Sequence, residues 1–428
     1  MIKGMNTSRL SIFDRRFKYF FWTQFLAALT DNTFKNALVM MVTYQNATVW
    51  GLDKSQVVPL AGGLFILPFF LFSPWAGQIS DRMEKSRLVR LTKYWEVLIM
   101  LIAAAGFCLQ AFGLLLVVLF LAGVQAALFG PVKYSILPEL VSGEQLLDAN
   151  GFVEGATFLA ILLGTIFGGV LVQMPQGEAL TAWFLIFLAL AGVWTARGVP
   201  KVSAGAPELK VDLNPIPTFW RLYRLLKKDQ SVHHAVRGIS WFWFFGAAML
   251  SILPLYCRDA LGVSEGVVTT FLAVFTIGIG LGSLFCARLS QGQVVLKMVW
   301  AGGFGMSLFL IDLVLASQSW PVLNGPALGL SPFLSTFSGW RLLLDFLGMC
   351  MAAGFFILPL YALMQARSLK QERSRIVAAN NILNALYMVI ASLVIMGFSS
   401  LRLSYSEMFG VLAGANFLAT GHLYLCYK

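Results

Sequence analysis

Charged side chains inside long apolar runs are the residues of this 428-residue sequence with the chemistry to form a polar site. Asp31 and Lys35 stand four residues apart in the first run, with Asn32 beside the aspartate. A charge at the centre of a bilayer costs about 2.5–3.5 kcal/mol on insertion scales. At this spacing Asp31 and Lys35 share one helix face. Two interpretations stay open: an ion pair satisfied within the protein, and a polar patch that faces a central cavity.

A second group of polar residues lies in the fourth and fifth apolar runs. Lys133 ends the fourth run, and Glu154 lies inside the fifth, one helical turn after Asn150. Lys133 and Glu154 are candidate partners across two helices. They form either a helix-end pair that keeps a gate shut or a charge in a pathway that contacts a headgroup or exchanges partners during gating.

Other polar residues within or near the runs are interpreted as contacts between helices. These are Glu96, Asp312 and Asp345 and the asparagines Asn380, Asn381 and Asn384. Asparagine inside a membrane helix is more often an interhelical hydrogen-bond partner than a ligand. We therefore keep the three asparagines as secondary candidates for the site.

The sequence offers little enzyme or cofactor chemistry. Its three histidines, His233, His234 and His422, are too few and too poorly spaced for a catalytic or metal centre. There is no GxxxxGK[ST] motif for ATP and no HxxxxD signature of a glycerolipid acyltransferase. The five cysteines form no CxxC pair and are expected to be buried free thiols. We expect no enzyme activity, no cofactor and no metal.

Composition indicates an integral membrane protein. Hydrophobic residues make up 58% of the chain and charged residues only 12%, whereas a soluble domain has roughly a quarter charged residues. The formal net charge of +11 could suggest nucleic acid, but in a membrane protein the positions of the cations matter more. We expect the lipid bilayer as a partner and no nucleic acid.

Twelve apolar runs are long enough to be membrane helices, which need about 20 residues each. They lie near 18–45, 57–78, 95–111, 113–134, 148–173, 179–197, 233–256, 264–287, 294–316, 340–365, 375–399 and 404–426. Long continuous runs favour helices over a barrel of short alternating strands. The first run lacks a cleavage site and is a helix rather than a signal peptide. The predicted organisation is all-α, with a six-helix half at 1–197, a linker at 198–232 and a second six-helix half at 233–428.

The distribution of cations predicts the orientation. Of the 31 lysines and arginines, 26 fall in the two terminal tails, the even-numbered loops and the linker with its margins, and four fall in the odd-numbered loops. Cytoplasmic loops of membrane proteins carry such an excess. Both termini and the linker are therefore expected to be cytoplasmic.

The two halves contain an internal echo. Residues 129–134 (FGPVKY) and 149–154 (ANGFVE) correspond to 358–361 (LPLY) and 379–384 (ANNILN), at an offset of about 230 residues. A weaker echo relates 77–82 to 288–292. Duplicated six-helix halves are typical of secondary transporters with a substrate site between the halves near the membrane midplane.

The loop after the second run carries a motif that resembles the loop motif of the major facilitator superfamily. It consists of Gly77, Asp81 and Arg82, followed by Lys85. Glycine allows two helices to approach, and an aspartate with an arginine could form a charged contact at the membrane face. An ordinary basic loop is the alternative.

Several longer segments resemble bacterial lysophospholipid transporters of that superfamily. They are 24–32, 130–139 (GPVKYSILPE) and 149–154 in the first half. In the second half, 239–244, 280–284 and 373–384 resemble the transporter portion of fused transporter–acyltransferase–acyl-carrier-protein ligase proteins. The family's charged pathway positions correspond to Asp31, Lys133 and Glu154, with Asn32 beside the first. The stand-alone transporters have an arginine in the seventh helix, where this chain has Leu250 and Ser251.

The resemblance implies a flippase-type secondary transporter. It would move lysophospholipids, chiefly lysophosphatidylethanolamine, from the outer to the inner leaflet of a bacterial inner membrane by alternating access. Re-acylation would fall to a separate acyltransferase/acyl-carrier-protein ligase, because this chain ends at Lys428. Two alternatives remain: a proton-coupled transporter of a small amphipathic solute or drug, and a non-transporting scaffold for lipid-remodelling enzymes.

Overall fold

The computed structural model describes residues 10–44, 49–52, 54–320 and 327–428, and this part of the chain is almost entirely helical. The helices before the middle of the chain are α1 Lys18–Tyr44, α2 Lys54–Arg82, α3 Lys85–Cys108, α4 Phe112–Ser135, α5 Leu137–Leu140, α6 Leu146–Gln173, α7 Gly177–Arg197 and α8 Pro215–Leu226. Those after it are α9 Gln230–Leu255, α10 Glu265–Leu289, α11 Leu296–Gln318, α12 Leu330–Leu334, α13 Phe337–Arg367, α14 Arg373–Ser400 and α15 Tyr405–Tyr427. A π-helical turn, Tyr256–Ala260, extends α9.

Eleven helices in the described residues are long and apolar enough to cross a membrane, which makes this a multi-pass membrane protein. Helix α1 is not among the eleven, although its 27 residues extend about 40 Å at 1.5 Å per residue. Asp31 and Lys35 lie within it, and they interrupt an otherwise apolar segment. With α1, the number of long helices equals the twelve runs predicted from the sequence.

The helices form two compact units. The first unit comprises the chain up to Asp229 together with Gln365–Ala385, and the second comprises Gln230–Met364 and Leu386–Lys428. The boundary between the two units after Asp229 falls within the predicted linker at 198–232. The short segment Gln365–Ala385, which contains the first three turns of α14, packs with the first unit although it lies in the second half of the sequence.

Small residues allow α1 and α6 to pack closely within the first unit. A Cβ atom added to Gly164 would lie 2.7 Å from the Cβ of Asn32, and one added to Gly168 would lie 2.5 Å from the carbonyl oxygen of Thr33. This pair has the small-xxx-small spacing that brings membrane helices together. The close approach holds the polar middle of α1 against α6.

Large apolar side chains line the outer surface of the helices. On α7, the exposed residues Trp183, Phe187, Leu190 and Trp194 recur at helical spacing on one face. A stripe of this size is unfavourable in water but suits contact with lipid. The opposite face of α7 carries buried residues such as Leu185 and Ala189, which belong to the core of the first unit.

Candidate functional site

Asp31 is a half-buried carboxylate on α1 without an ion-pair partner. No lysine or arginine nitrogen in the described part of the chain lies within 4.0 Å of it, although the charges of Glu96, Lys93 and Lys35 act on it. The ammonium group of Lys35 lies instead over the ring of Phe65 on α2, 5.9 Å from the ring centroid. Asp31 and Lys35 therefore do not form the direct ion pair that their spacing allows.

Asn32 contributes to packing beside Asp31. Its side-chain Nδ2 donates to the carbonyl oxygen of Ala28 at 2.8 Å, and its Cβ faces Gly164 of α6. The amide of Asn32 is thus occupied by its own helix in this structure.

A polar cluster, consisting of Gln24, Lys133, Tyr134, Glu154 and Thr157, joins α1, α4 and α6 in the first unit. Lys133 Nζ donates to Thr157 Oγ1 at 2.9 Å, and Thr157 Oγ1 lies 3.2 Å from Gln24 Oε1. Tyr134 donates its hydroxyl to Glu154 Oε1 at 2.7 Å. The cluster brings together Lys133 and Glu154, two of the residues singled out in the sequence.

The direct Lys133–Glu154 ion pair that we considered from the sequence is not present. Tyr134 occupies the carboxylate of Glu154, and the ammonium of Lys133 lies over the Tyr134 ring, 5.1 Å from its centroid. Lys133 reaches Thr157, one turn further along α6 than Glu154. The lysine and the glutamate therefore act on each other through space and through the intervening tyrosine rather than by contact.

Gln24 leaves one polar atom of the cluster available. Its side chain is buried, and its Nε2 has no hydrogen-bond partner among the described residues. An unsatisfied buried donor costs about 1–3 kcal/mol, so an acceptor brought to this position would be bound favourably. Sequence reasoning did not assign Gln24, Tyr134 or Thr157 to the site, although Tyr134 adjoins Lys133 and Thr157 lies three residues after Glu154.

Two other charged groups serve as contacts between helices, as expected. In the first unit, Lys93 Nζ is 2.6 Å from Glu96 Oε2, which also accepts from Gln125 Nε2 of α4 at 3.1 Å. Lys93 is fully buried within α3, although it precedes the apolar run predicted at 95–111. In the second unit, Arg341 of α13 pairs with Asp312 of α11 at 2.6 Å, and Asp345 lies 4.0 Å from the same arginine.

The motif after the second run contacts the start of α14. A Cβ added to Gly77 would lie 2.6 Å from the Cβ of Ala378, so only glycine permits this approach. The fully buried carboxylate of Asp81 accepts hydrogen bonds from the backbone N–H groups of Ser374 and Arg375 at 3.0 and 3.3 Å and from Arg375 Nε at 3.0 Å. Asp81 thus caps α14 and forms an ion pair with it.

Arg375, and not Arg82, provides the cation of this contact. Arg82 is exposed and has no carboxylate within 4.0 Å in the described residues, because neighbouring positions on a helix point in different directions. Lys85 has a third role: its buried ammonium donates to the carbonyl oxygen of Ser135 at 2.8 Å, where α4 ends. A cation at this place satisfies a terminal carbonyl and complements the helix dipole.

Glu139 holds the segment before α14 through two cations. Its carboxylate is 2.8 Å from Lys370 Nζ and 3.0 Å from Arg373 Nη1. Burial acts to raise the pKa of Glu139, but the hydrogen bond from Lys370 and the charges of Lys370, Lys85 and Arg373 together hold it below its usual range. The carboxylate is therefore charged throughout the physiological range.

The asparagine candidates have different environments. Asn150 exchanges two hydrogen bonds with Gln365, at 3.0 and 2.7 Å, so it joins α6 to the end of α13. Asn381 lies against Gly130, while Asn384 is buried and has a partner of its own. Asn380 is fully buried, and neither polar atom of its side chain finds a partner in the described part of the chain.

The thiols and potential metal ligands are dispersed. All five cysteines are free; Cys257, Cys286 and Cys350 are buried, whereas Cys426 is half-buried and Cys108 is exposed, contrary to the expectation that all are buried. The described residues contain no group of three or more histidine, cysteine, aspartate or glutamate side chains that could hold a metal ion.

Comparison with known proteins identifies the family of this chain. The Major Facilitator Superfamily matches residues 20–392. The lysophospholipid transporters LplT of Salmonella heidelberg (strain SL476) and Salmonella typhimurium are 32% identical over 350 residues, which cover 81% of this chain and 78% of each relative. Among solved structures, the human organic anion transporter MFSD10 has a TM-score of 0.73 at 14% identity, with 96% of this chain and 99% of that chain covered. The E. coli fucose:proton symporter FucP has a TM-score of 0.71 at 12% identity and covers 96% of this chain and 98% of its own.

These relatives and structural neighbours are transporters by name and not enzymes. The chain belongs to the Major Facilitator Superfamily and, within it, to the family of the lysophospholipid transporters LplT.

Proposed function

We propose that this protein is a secondary transporter of lysophospholipids, chiefly lysophosphatidylethanolamine. It moves them from the outer to the inner leaflet of a bacterial inner membrane by alternating access, with both termini and the linker in the cytoplasm. The observation that carries the proposal is the polar cluster of the first unit, in a chain 32% identical to named lysophospholipid transporters. A separate acyltransferase would then restore the second acyl chain.

The cluster offers groups of both signs to a zwitterionic headgroup. Lys133 Nζ and the free Nε2 of Gln24 are donors for a phosphate, whereas Asp31 is a carboxylate without an ion-pair partner and suits an amine. A headgroup must lose its water to cross the hydrocarbon core, while the acyl chain has no such penalty. Polar groups in the protein replace that water for the headgroup. The acyl chain of the lipid can therefore remain in an apolar cleft or in lipid.

The first unit supplies these charges, and positions 250 and 251 of α9 add none. Leu250 and Ser251 stand where the stand-alone transporters have an arginine, and Ser251 donates its hydroxyl to the carbonyl oxygen of Ala247. Selection of the headgroup therefore depends on Asp31 and Lys133.

Contacts at the start of α14 would stabilise one state of the transport cycle. Asp81 and Glu139 together bind Arg373, Ser374 and Arg375. Their rupture would release the segment Gln365–Ala385 from the first unit, which is the type of bistable element that alternating access requires.

Uptake of labelled lysophosphatidylethanolamine into cells that express the chain tests this function. We expect uptake above that of empty-vector cells, with a reduction of tenfold or more for Lys133→Gln and Asp31→Asn. Lys201→Gln, which removes an exposed cation, is the matched control and should keep full uptake. Uptake equal to that of empty-vector cells contradicts the proposal.

A proton-coupled transporter of a small amphipathic solute is the second candidate function. It is favoured by Glu154, a buried carboxylate that accepts a hydrogen bond from the hydroxyl of Tyr134 and has no cation within 4.0 Å among the described residues. Flux of a soluble compound that follows an imposed pH gradient and is lost in Glu154→Gln, without movement of lysolipid, would favour this function over the first.

A further inference from the structure

A basic pocket, lined by Lys210, Arg221, Arg224, Lys228 and Arg375 among other residues, lies between the linker, α8 and the start of α14 in the first unit. Its cavity has a volume of about 270 Å³, enough for a phosphate group with a small alcohol. The pocket is separate from the polar cluster, although one of its lining residues, Arg375, also forms the ion pair with Asp81.

Three of the five cations are neutralised by carboxylates. Arg221 pairs with Asp212 at 2.6 Å and Lys228 with Glu372 at 2.8 Å. Arg375 is held by Asp81. Glu372 also lines the pocket and is the one anionic side chain among its described lining residues.

Lys210 and Arg224 supply the remaining positive charge. Both are exposed, and neither has a carboxylate within 4.0 Å among the described residues. Two unpaired cations on the wall of a concave site are complementary to an anion.

The linker places this pocket beside the last two turns of α2, at the end of a candidate membrane span. Ala206 donates its N–H to the carbonyl oxygen of Asp81, Asp212 exchanges hydrogen bonds with Gln78, and Trp75 Nε1 donates to the carbonyl oxygen of Leu213. The linker thus runs back along α2 from its end towards the membrane interior. Arg82 is the last residue of α2, and Trp75 precedes it by seven residues. Trp75 therefore lies about 10 Å along the helix from that end.

Helix α8 has the side-chain composition of a helix that lies at the membrane–water interface. Its residues Phe219 and Tyr223 border Ala379 and Ile382 of α14, about two turns beyond the start of that helix. Trp220 is 54% exposed on the other side, and Leu213 before the helix is 77% exposed. Aromatic and apolar side chains next to exposed arginines are typical of segments at the headgroup level.

We propose that the basic pocket binds the headgroup of an anionic phospholipid from the leaflet on the linker side. Lys210 and Arg224 bind the phosphate, and the acyl chains lie beside Leu213 and Trp220. The group that binds is a phosphate ester. We assign it to a lipid rather than to a soluble phosphate because the apolar surface continues from the pocket along α8.

Lipid binding to the purified full-length protein tests this site. Retained phosphatidylglycerol and phosphatidylcholine are counted by native mass spectrometry over a titration of each lipid. We expect preference for phosphatidylglycerol in the natural protein and about 30-fold weaker binding of it by Lys210→Gln/Arg224→Gln, from roughly 1 kcal/mol for each cation. Arg87→Gln/Lys201→Gln removes two exposed cations outside the pocket and should bind as the natural protein does.

The outcomes separate the possible ligands. Equal binding of the two lipids, or unchanged phosphatidylglycerol binding by Lys210→Gln/Arg224→Gln, overturns the proposal. Displacement of phosphatidylglycerol by inorganic phosphate or glycerol phosphate at equal concentration would assign the pocket to a soluble phosphate and overturn the lipid assignment. If the double variant does not fold, Lys210→Gln alone should weaken binding about fivefold, and an unchanged affinity contradicts the proposal.

Discussion

Replacement of Asp81 by asparagine tests the contact that holds the start of α14 to the first unit. The carboxylate accepts three hydrogen bonds, two from backbone N–H groups and one from the guanidinium of Arg375. Asp81→Asn keeps the size of the side chain but removes the charge and turns an amide nitrogen towards the donors. Because hydrogen bonds to a charged group contribute about 1.5–3 kcal/mol and neutral ones about 1 kcal/mol, we expect a loss of about 2 kcal/mol.

Hydrogen exchange measures this loss locally. The amides of Ser374 and Arg375 exchange when the segment opens, and their protection reports the free energy of that opening. A loss of about 2 kcal/mol corresponds to exchange about 30-fold faster in peptides that cover residues 373–378. Glu84→Gln removes a carboxylate that is paired with Arg90 and should leave these amides unchanged.

A charge swap separates capping from simple ion pairing. In Asp81→Arg/Arg375→Asp the ion pair can re-form, but the N–H groups of Ser374 and Arg375 lose their acceptor. We therefore expect no rescue of protection. Unchanged exchange in Asp81→Asn, or full rescue by the swap, would refute the reasoning.

Two further predictions concern the same region. Gly77→Ala should lower the free energy of unfolding by about 1–3 kcal/mol, because its Cβ would meet the Cβ of Ala378 at 2.6 Å, and this loss should be seen as a lower Tm in detergent. Gly410→Ala is the control: its Cβ would have no atom within 4 Å, so the Tm should stay unchanged or rise. The lowered pKa of Glu139 means that its stabilising effect is present above the ordinary glutamate pKa and is lost as the pH falls through the lower pKa of the folded state. The Tm of the natural protein should thus fall more steeply below about pH 4.5 than that of Glu139→Gln, and parallel pH profiles would contradict this.

The sequence predicts the membrane helices well because their length is imposed by the bilayer. The apolar run at 18–45 became α1 Lys18–Tyr44, and the run at 233–256 became α9 Gln230–Leu255. Short or amphipathic elements such as α8 Pro215–Leu226 and α12 Leu330–Leu334 escaped prediction because they do not need a long apolar run. The close approach at Gly77 follows from the motif itself.

Partners of the charged residues could not be predicted in the same way. The fold directs the side chain of Lys133 to Thr157 rather than to Glu154. Asp81 and Arg375 are 294 residues apart, so their contact depends on packing that sequence spacing does not encode. A charge in an apolar run indicates a polar site, whereas the identity of its partner is a property of the tertiary structure.

Transport by the purified protein tests the central claim most directly. Proteoliposomes that contain the protein are loaded with fluorescent lysophosphatidylethanolamine in one leaflet, and its appearance in the other leaflet is followed by extraction with albumin. We predict redistribution faster than in protein-free liposomes, a reduction of at least tenfold in Lys133→Gln, and the rate of the natural protein in Lys201→Gln. Redistribution no faster than in protein-free liposomes, with protein that remains folded, would contradict the assignment of this chain as a lysophospholipid transporter.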